Sequence, residues 1–165
     1  MSGFGATMRS KLEKLTSTQA SIQLFSQWIS NHKRNAKPVA ETWANLLADA
    51  RQPERALALI YLANDVMQNS RRKSTPFVEL LANEMPRVLP TAYAMCDSKS
   101  RQRIRKILDV WLQRNTVGGV DVLALSRLLD VAEGLDPEIA PSSATSGIAA
   151  TVGMQAAQLP PPPGP

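Results

Sequence analysis

The 165 residues carry a net charge of +5, with 44% apolar and 20% charged side chains, enough for one domain with its own core. The single cysteine, Cys96, excludes an internal disulfide, and with the single histidine, His32, it is too little for a structural zinc site. No apolar run reaches the roughly 20 residues of a membrane span, and Met1-Ser2-Gly3-Phe4 reads as neither a secretory core nor a myristoylation signal.

Ala, Leu, Lys, Arg and Gln dominate most of the chain, a balance that favours helices over sheet. Phe4 to Leu15 reads as a short amphipathic helix, with Phe4, Met8, Leu12 and Leu15 at helical spacing. Thr16-Ser17-Thr18-Gln19 has the capping-box spacing and opens a second helix through about Ser30. Its stripe is Ile22, Leu24, Phe25, Trp28 and Ile29. Lys37-Pro38 starts a third helix, with Val39, Trp43, Leu46 and Leu47 towards the core. Pro53 starts a fourth, running to about Ser70. Thr75-Pro76 starts a short fifth through Leu80 and Leu81, and Pro86 and Pro90 make a sixth segment irregular, ending near Cys96. Ser98 caps a long seventh helix that Gly118-Gly119 terminates, and Val120 to Glu133 forms an eighth. Short connections and the lack of a fixed repeat predict a packed helical array rather than a tetratricopeptide or ankyrin stack.

From about Leu135 the composition changes to Ala, Ser, Thr, Gly and Pro. Too little apolar surface is present there to order the chain, so residues 135–165 are expected to be a disordered linker or tail after a domain at 1–134. Residues 136–165 hold two acids, Asp136 and Glu138, and no Lys or Arg, which leaves +7 on residues 1–135. A basic folded part points to an acidic partner: nucleic acid, anionic lipid or a phosphorylated peptide.

The run from Ile60 to Lys73 narrows the choice. It is apolar almost all round, as a buried helix is, yet it carries Asp65 in its middle and ends in Arg71, Arg72 and Lys73. An isolated buried charge costs several kcal/mol at least, so Asp65 needs a partner or an opening to solvent. Tyr61, Asp65, Gln68 and Arg72 share one face, with Asn64 and Asn69 beside it. On the seventh helix, Ile104, Ile107, Leu108 and Trp111 define the buried side, and Lys99, Arg103, Lys106, Val110 and Arg114 fall on a neighbouring strip. Arg101 and Arg105 point to the other flank. Amide side chains for a peptide backbone, a carboxylate for a hydroxyl and cations for a phosphate together suit an extended phosphopeptide. The alternative is a polar rim with Asp65 paired to an arginine, beside a solvated basic helix face.

Leu62-Ala63-Asn64-Asp65-Val66-Met67-Gln68-Asn69-Ser70-Arg71-Arg72-Lys73 and Ile107-Leu108-Asp109-Val110-Trp111-Leu112-Gln113-Arg114 resemble the signatures of the CTD-interacting domain. That family binds the C-terminal heptad tail of RNA polymerase II in transcription termination and RNA 3′-end processing. The resemblance runs from about Phe4 to Glu133 and looks closest to the branch regulating nuclear pre-mRNA. It implies an all-α fold, a right-handed superhelix of about eight helices akin to VHS and ENTH domains, and a nuclear protein. Asn64 and Asp65 fall on the family's Asn-Asp pair, the aspartate accepting a hydrogen bond from the heptad tyrosine; Tyr61 and Asn69 line the same groove. The family's phosphoserine-binding arginine falls on Lys106, which keeps the charge but loses the bidentate fork. Arg103, one turn earlier, is the substitute, Arg114 borders the groove, and Arg72 and Lys73 lie near the peptide's other end. The expected mechanism is recognition without chemistry, with no cofactor or metal.

Two rivals stand beside it. A trafficking module of ENTH or VHS type would bind phosphoinositides or sorting peptides, and would need the apolar stripe of the first helix free for the bilayer; docking of Phe4, Met8 and Leu12 onto the domain is the favoured outcome. The basic row also admits weak, salt-sensitive RNA contact, although its one aromatic residue, Trp111, faces the core. An enzyme is disfavoured because His32 has no nucleophile motif near it. Oligomeric state and preferred phosphorylation pattern lie outside the sequence.

Overall fold

Helix α4, Pro53–Ser70, sits among its neighbours and organises the rest. The computed structural model describes residues 3–71, 76–114 and 122–134. Among the described residues there are seven α-helices and no strand: α1 Gly3–Leu12, α2 Gln19–Ser30, α3 Ala36–Asp49, α4, α5 Phe77–Met95, α6 Ser98–Arg114 and α7 Val122–Ala132. A short 3-10 turn, Lys33–Asn35, leads into α3. The expected tail at 135–165, the Gly118-Gly119 stop and Thr75 lie outside the described residues.

Pro53 stands in the first turn of α4, where its missing N–H is not needed, and ten of the helix's residues from Ala56 to Ser70 are buried. A helix buried on nearly every side needs neighbours on nearly every side, and α2, α3, α5 and α6 all pack against α4. Trp43 of α3 is 1% exposed, and its indole Nε1–H donates to the Leu59 carbonyl of α4 at 2.7 Å. That bond satisfies a buried donor through the carbonyl's second lone pair. On α1, Met8 and Leu12 are fully buried and Phe4 stacks on Trp28 with ring centroids 5.5 Å apart. The apolar stripe of α1 is therefore occupied by the protein, which removes the surface an ENTH-like bilayer helix would require.

Two expected segments are one helix, and this correction lowers the count from eight. Pro86 and Pro90 lie inside α5. An interior proline deletes one backbone hydrogen bond and crowds the preceding turn, at roughly 3 kcal/mol. Phe77, Leu81, Ala82, Met85, Val88, Leu89, Ala92 and Tyr93 form an unbroken buried stripe through both prolines. Each of the large side chains among them contributes about 1.5–3 kcal/mol when buried, so the stripe outweighs the two defects. The prolines are four residues apart and share a face; Pro86 is exposed and Pro90 half-buried.

Helix starts shift by small amounts for local reasons. The cap of α2 is Thr18, whose side chain accepts from Ser21 N–H, rather than Thr16. Thr16 instead donates its backbone N–H to Ser21 Oγ at 3.0 Å. For α6 the capping oxygen belongs to Asp97, not Ser98: Ser100 N–H donates to Asp97 Oδ1 at 3.2 Å. The chain resolves into two units, Met1–Ser126 and Arg127–Pro165. In the second, Glu133 N–H closes on the Leu129 carbonyl and Gly134 adopts φ +85°, the left-handed turn that ends a helix and that glycine enters without strain.

Candidate peptide-binding site

Trp111 supplies the bond that fixes α6 beside α4. Its indole is fully buried, so its N–H must find an acceptor, and Asn64 Oδ1 stands 2.8 Å away. Gln68 Nε2 donates to the same oxygen at 3.4 Å. Farther along, Arg71 Nη2 donates to the Arg114 carbonyl at 2.7 Å, satisfying one of the carbonyls left open at the end of α6. On the other side of α4, Asn69 Nδ2 donates to Asp65 Oδ2 at 2.9 Å and reaches Ser26 Oγ of α2 at 3.5 Å.

These bonds orient the polar face. At about 100° per residue, Asn64 and Arg71 lie towards α6, Asn69 towards α2, and Tyr61, Asp65 and Gln68 occupy the strip between. Tyr61, Asp65 and Gln68 are half-buried, in a trough with α4 as floor and α2 and α6 as walls. No cation pairs with Asp65 among the described residues; Arg72, expected on the same face, lies outside them. Asn69 holds one carboxylate oxygen, and Oδ1 has no partner among the described residues. Asp65 thus meets its need through an amide on its own helix and an opening to solvent.

The two flanks of α6 differ. On one, Arg101 donates to the carbonyls of Tyr93 at 3.0 Å and Ala94 at 2.7 Å, while Arg105 donates to Tyr93 Oη at 2.9 Å and to Ser126 Oγ at 2.9 Å. Both guanidinium groups also lie over the Tyr93 ring, at 5.3 and 5.0 Å. They are fasteners between α6 and its neighbours. On the other flank Lys99, Arg103, Lys106 and Arg114 are exposed, and none of their side chains has an ion-pair partner among the described residues. Neither Arg103 nor Lys106 bonds to Asp65; they stand on the wall rather than the floor.

The structure therefore bonds Asn69 to Asp65, and Asn64 to Gln68 and Trp111, with Tyr61 on the strip between the two sets, and it ties the Arg114 carbonyl to Arg71 just past the end of α4. Arg72 and Lys73 lie outside the described residues. Sequence reasoning passed over Ser26 and Arg71. Ser26 is 1% exposed and lies on the buried side of α2, where its hydroxyl accepts from Asn69 across to α4. Its signal was a hydroxyl inside an apolar stripe. Arg71, with Gln68, Asn69 and Arg114, lines a cavity of about 480 Å³ at the end of the trough. Only the helix register distinguishes it from the two cations that follow.

The trough offers hydrogen-bond acceptors, amide donors and nearby cations. Among the described residues no group of three His, Cys, Asp or Glu side chains could hold a metal ion. His32 lies elsewhere, its Nδ1 2.7 Å from the Trp28 carbonyl and its ring against Phe4 and Trp28. A family profile described as the CID domain matches residues 6–123. The chain belongs to the CID family. CID domains are non-catalytic binding modules. This CID is 32% identical over 116 residues to the Regulation of nuclear pre-mRNA domain-containing protein 1A of Homo sapiens, covering 70% of this chain and 37% of that protein. It is 31% identical over 120 residues to protein 1B of Mus musculus, covering 72% of this chain and 36% of the relative. The chain thus spans little more than a third of the relatives it matches. No described helix is long and apolar enough to cross a membrane.

Proposed function

We propose that this CID binds the C-terminal heptad tail of RNA polymerase II in its phosphorylated form, in the nucleus, in the course of transcription termination or RNA 3′-end processing. The observation that carries the reading is a half-buried carboxylate, Asp65, one of whose oxygens has no partner among the described residues, on the α4 strip beside α6, whose exposed flank bears Arg103, Lys106 and Arg114 without ion-pair partners among the described residues. A tail tyrosine would donate its hydroxyl to Asp65, amide groups of Asn64 and Asn69 would meet the peptide backbone, and Lys106 with Arg103 would hold a phosphoserine. Arg72 and Lys73, which follow in the sequence, would add positive charge for the peptide's other end. The names of the relatives, with their reference to nuclear pre-mRNA, support the location and the process.

A charge-assisted phosphate contact is worth roughly 1.5–3 kcal/mol, or about one to two decades of affinity. Ordering a flexible peptide offsets much of that gain, so binding is expected in the micromolar range. Titration with a two-repeat heptad peptide, plain and phosphorylated at the second serine, tests the reading. Tenfold or greater preference for the phosphorylated form is expected (about 1.4 kcal/mol). Equal affinities would remove the phosphate from the account.

A further inference from the structure

A second groove lies between α1 and α2, on the flank of α2 turned away from α4. Ser26 marks the α4 side of α2; Leu24 and Trp28 are each about 160° from it around the helix. The groove has a volume of about 680 Å³ and is lined by Ala6, Thr7, Ser10 and Lys11 of α1, by Lys14 just after it, and by Leu24 and Phe25 of α2. Leu24 is 67% exposed, the most exposed large apolar side chain among the described residues. A lone surface leucine needs no explanation. This one stands over a concave floor of small side chains that lets another backbone come close.

The charge around the groove has one sign. Lys11 and Lys14 are exposed and have no ion-pair partner among the described residues. The nearest acid in sequence, Glu13, acts instead on Arg55, whose guanidinium donates to the Leu12 carbonyl at 2.6 Å. Lys11 Nζ is held 5.6 Å above the Trp28 ring, so its charge stays beside the groove. Nucleic acid fits less well. The nearby rings of Phe4, Trp28 and His32 are packed on one another, at centroid separations of 4.2–5.5 Å, and so are not free platforms for bases.

We propose that this groove docks an acidic amphipathic helix of a partner protein, its apolar side chains seated against Leu24 over Ala6, Thr7 and Ser10, and its carboxylates against Lys11 and Lys14. The inference is independent of what fills the α4–α6 trough, and both sites can be occupied at once. The probe is a helical peptide of about four turns, leucines on one face and glutamates on the other, with a scrambled peptide of the same composition as control. Added to the isotope-labelled full chain, the amphipathic peptide should shift the amide resonances of Ala6, Thr7, Ser10 and Leu24, and the scrambled one should not. Lys11→Glu with Lys14→Glu should weaken binding roughly tenfold, and Leu24→Ser several-fold, while the circular dichroism spectrum and heptad-peptide affinity stay unchanged. Shifts produced equally by the scrambled peptide, shifts confined to the trough, or none at millimolar peptide would overturn the proposal. So would a single-stranded RNA oligonucleotide that moves the same resonances and displaces the peptide, which would make the groove a nucleic-acid surface.

Discussion

Asn64 and Asp65 are neighbours in the chain, and the 100° or so between them on α4 gives them different surroundings. Asn64 Oδ1 accepts from the buried Trp111 indole and from Gln68, which fixes the amide's orientation and leaves Nδ2 as the group with no partner among the described residues. Asp65 faces the trough, and its Oδ1 has no partner among the described residues. Truncation therefore separates them. Asn64→Ala strands the Trp111 N–H in the core and should lower the free energy of unfolding by about 1–3 kcal/mol in urea titrations. Asp65→Asn should stay within about 0.5 kcal/mol of the parent in the same assay, yet lose heptad-peptide affinity. If the Asp65 variant unfolds instead, the carboxylate belongs to the scaffold and the tyrosine contact is lost from the account. The polar face itself was legible in the sequence, because Tyr61, Asp65 and Gln68 recur at helical spacing on an otherwise apolar helix. The tertiary bonds were not. Nothing local to Asn64 announces that its oxygen is taken by a tryptophan 47 residues away, or that Ser26 faces Asn69.

At the scale of elements, legibility depended on whether local signals and burial agreed. They agree in α4, whose proline start and end near Ser70 were readable directly. They conflict in α5, where proline punctuation argued for two segments and the buried stripe from Phe77 to Tyr93 made one helix. That conflict is measurable. Pro86 is exposed in a helical setting, so Pro86→Ala restores a backbone donor and relieves crowding worth roughly 3 kcal/mol. Greater freedom of the unfolded chain offsets about 0.4–1 kcal/mol of this. A net rise in stability of about 2 kcal/mol is expected from denaturant unfolding; a fall would mean that the turn around residue 86 is held by something other than helical hydrogen bonding. The start of α6 makes a prediction about pH. Hydrogen bonds from the Ser100 hydroxyl and backbone N–H hold the Asp97 carboxyl below its ordinary value of 3.8. A depressed pKa contributes stability that is fully present above the unfolded value and is lost as pH falls through the folded one. Asp97→Asn should therefore narrow its stability gap to the parent between neutral pH and pH 2–3 in thermal unfolding scans. A gap that stays constant with pH would show that the charge on Asp97 contributes nothing.

Across the whole molecule, the net charge of +5 includes exposed cations beside both grooves: an α6 row beside the trough, and Lys11 of α1 with Lys14 just after it beside the other. Exposed cations of this kind act over about a Debye length, roughly 10 Å at 0.1 M salt and far less at 1 M. Asp65 is half-buried with its hydrogen bond made locally by Asn69, and contacts of that sort are screened much less. Salt should then dissect peptide binding into its parts. Between low and high ionic strength the affinity for a phosphorylated heptad peptide should fall steeply, and that for the plain peptide should fall little, so that the two curves converge. Arg103→Ala with Lys106→Ala should flatten the first curve and leave the second nearly unmoved, whereas Asp65→Asn should lower both curves by a similar factor without changing their slopes. Isothermal titration at three salt concentrations is sufficient to see it. Parallel curves for the two peptides on the parent protein would place the phosphate away from the α6 row, and would leave the exposed cations there as a solvated face.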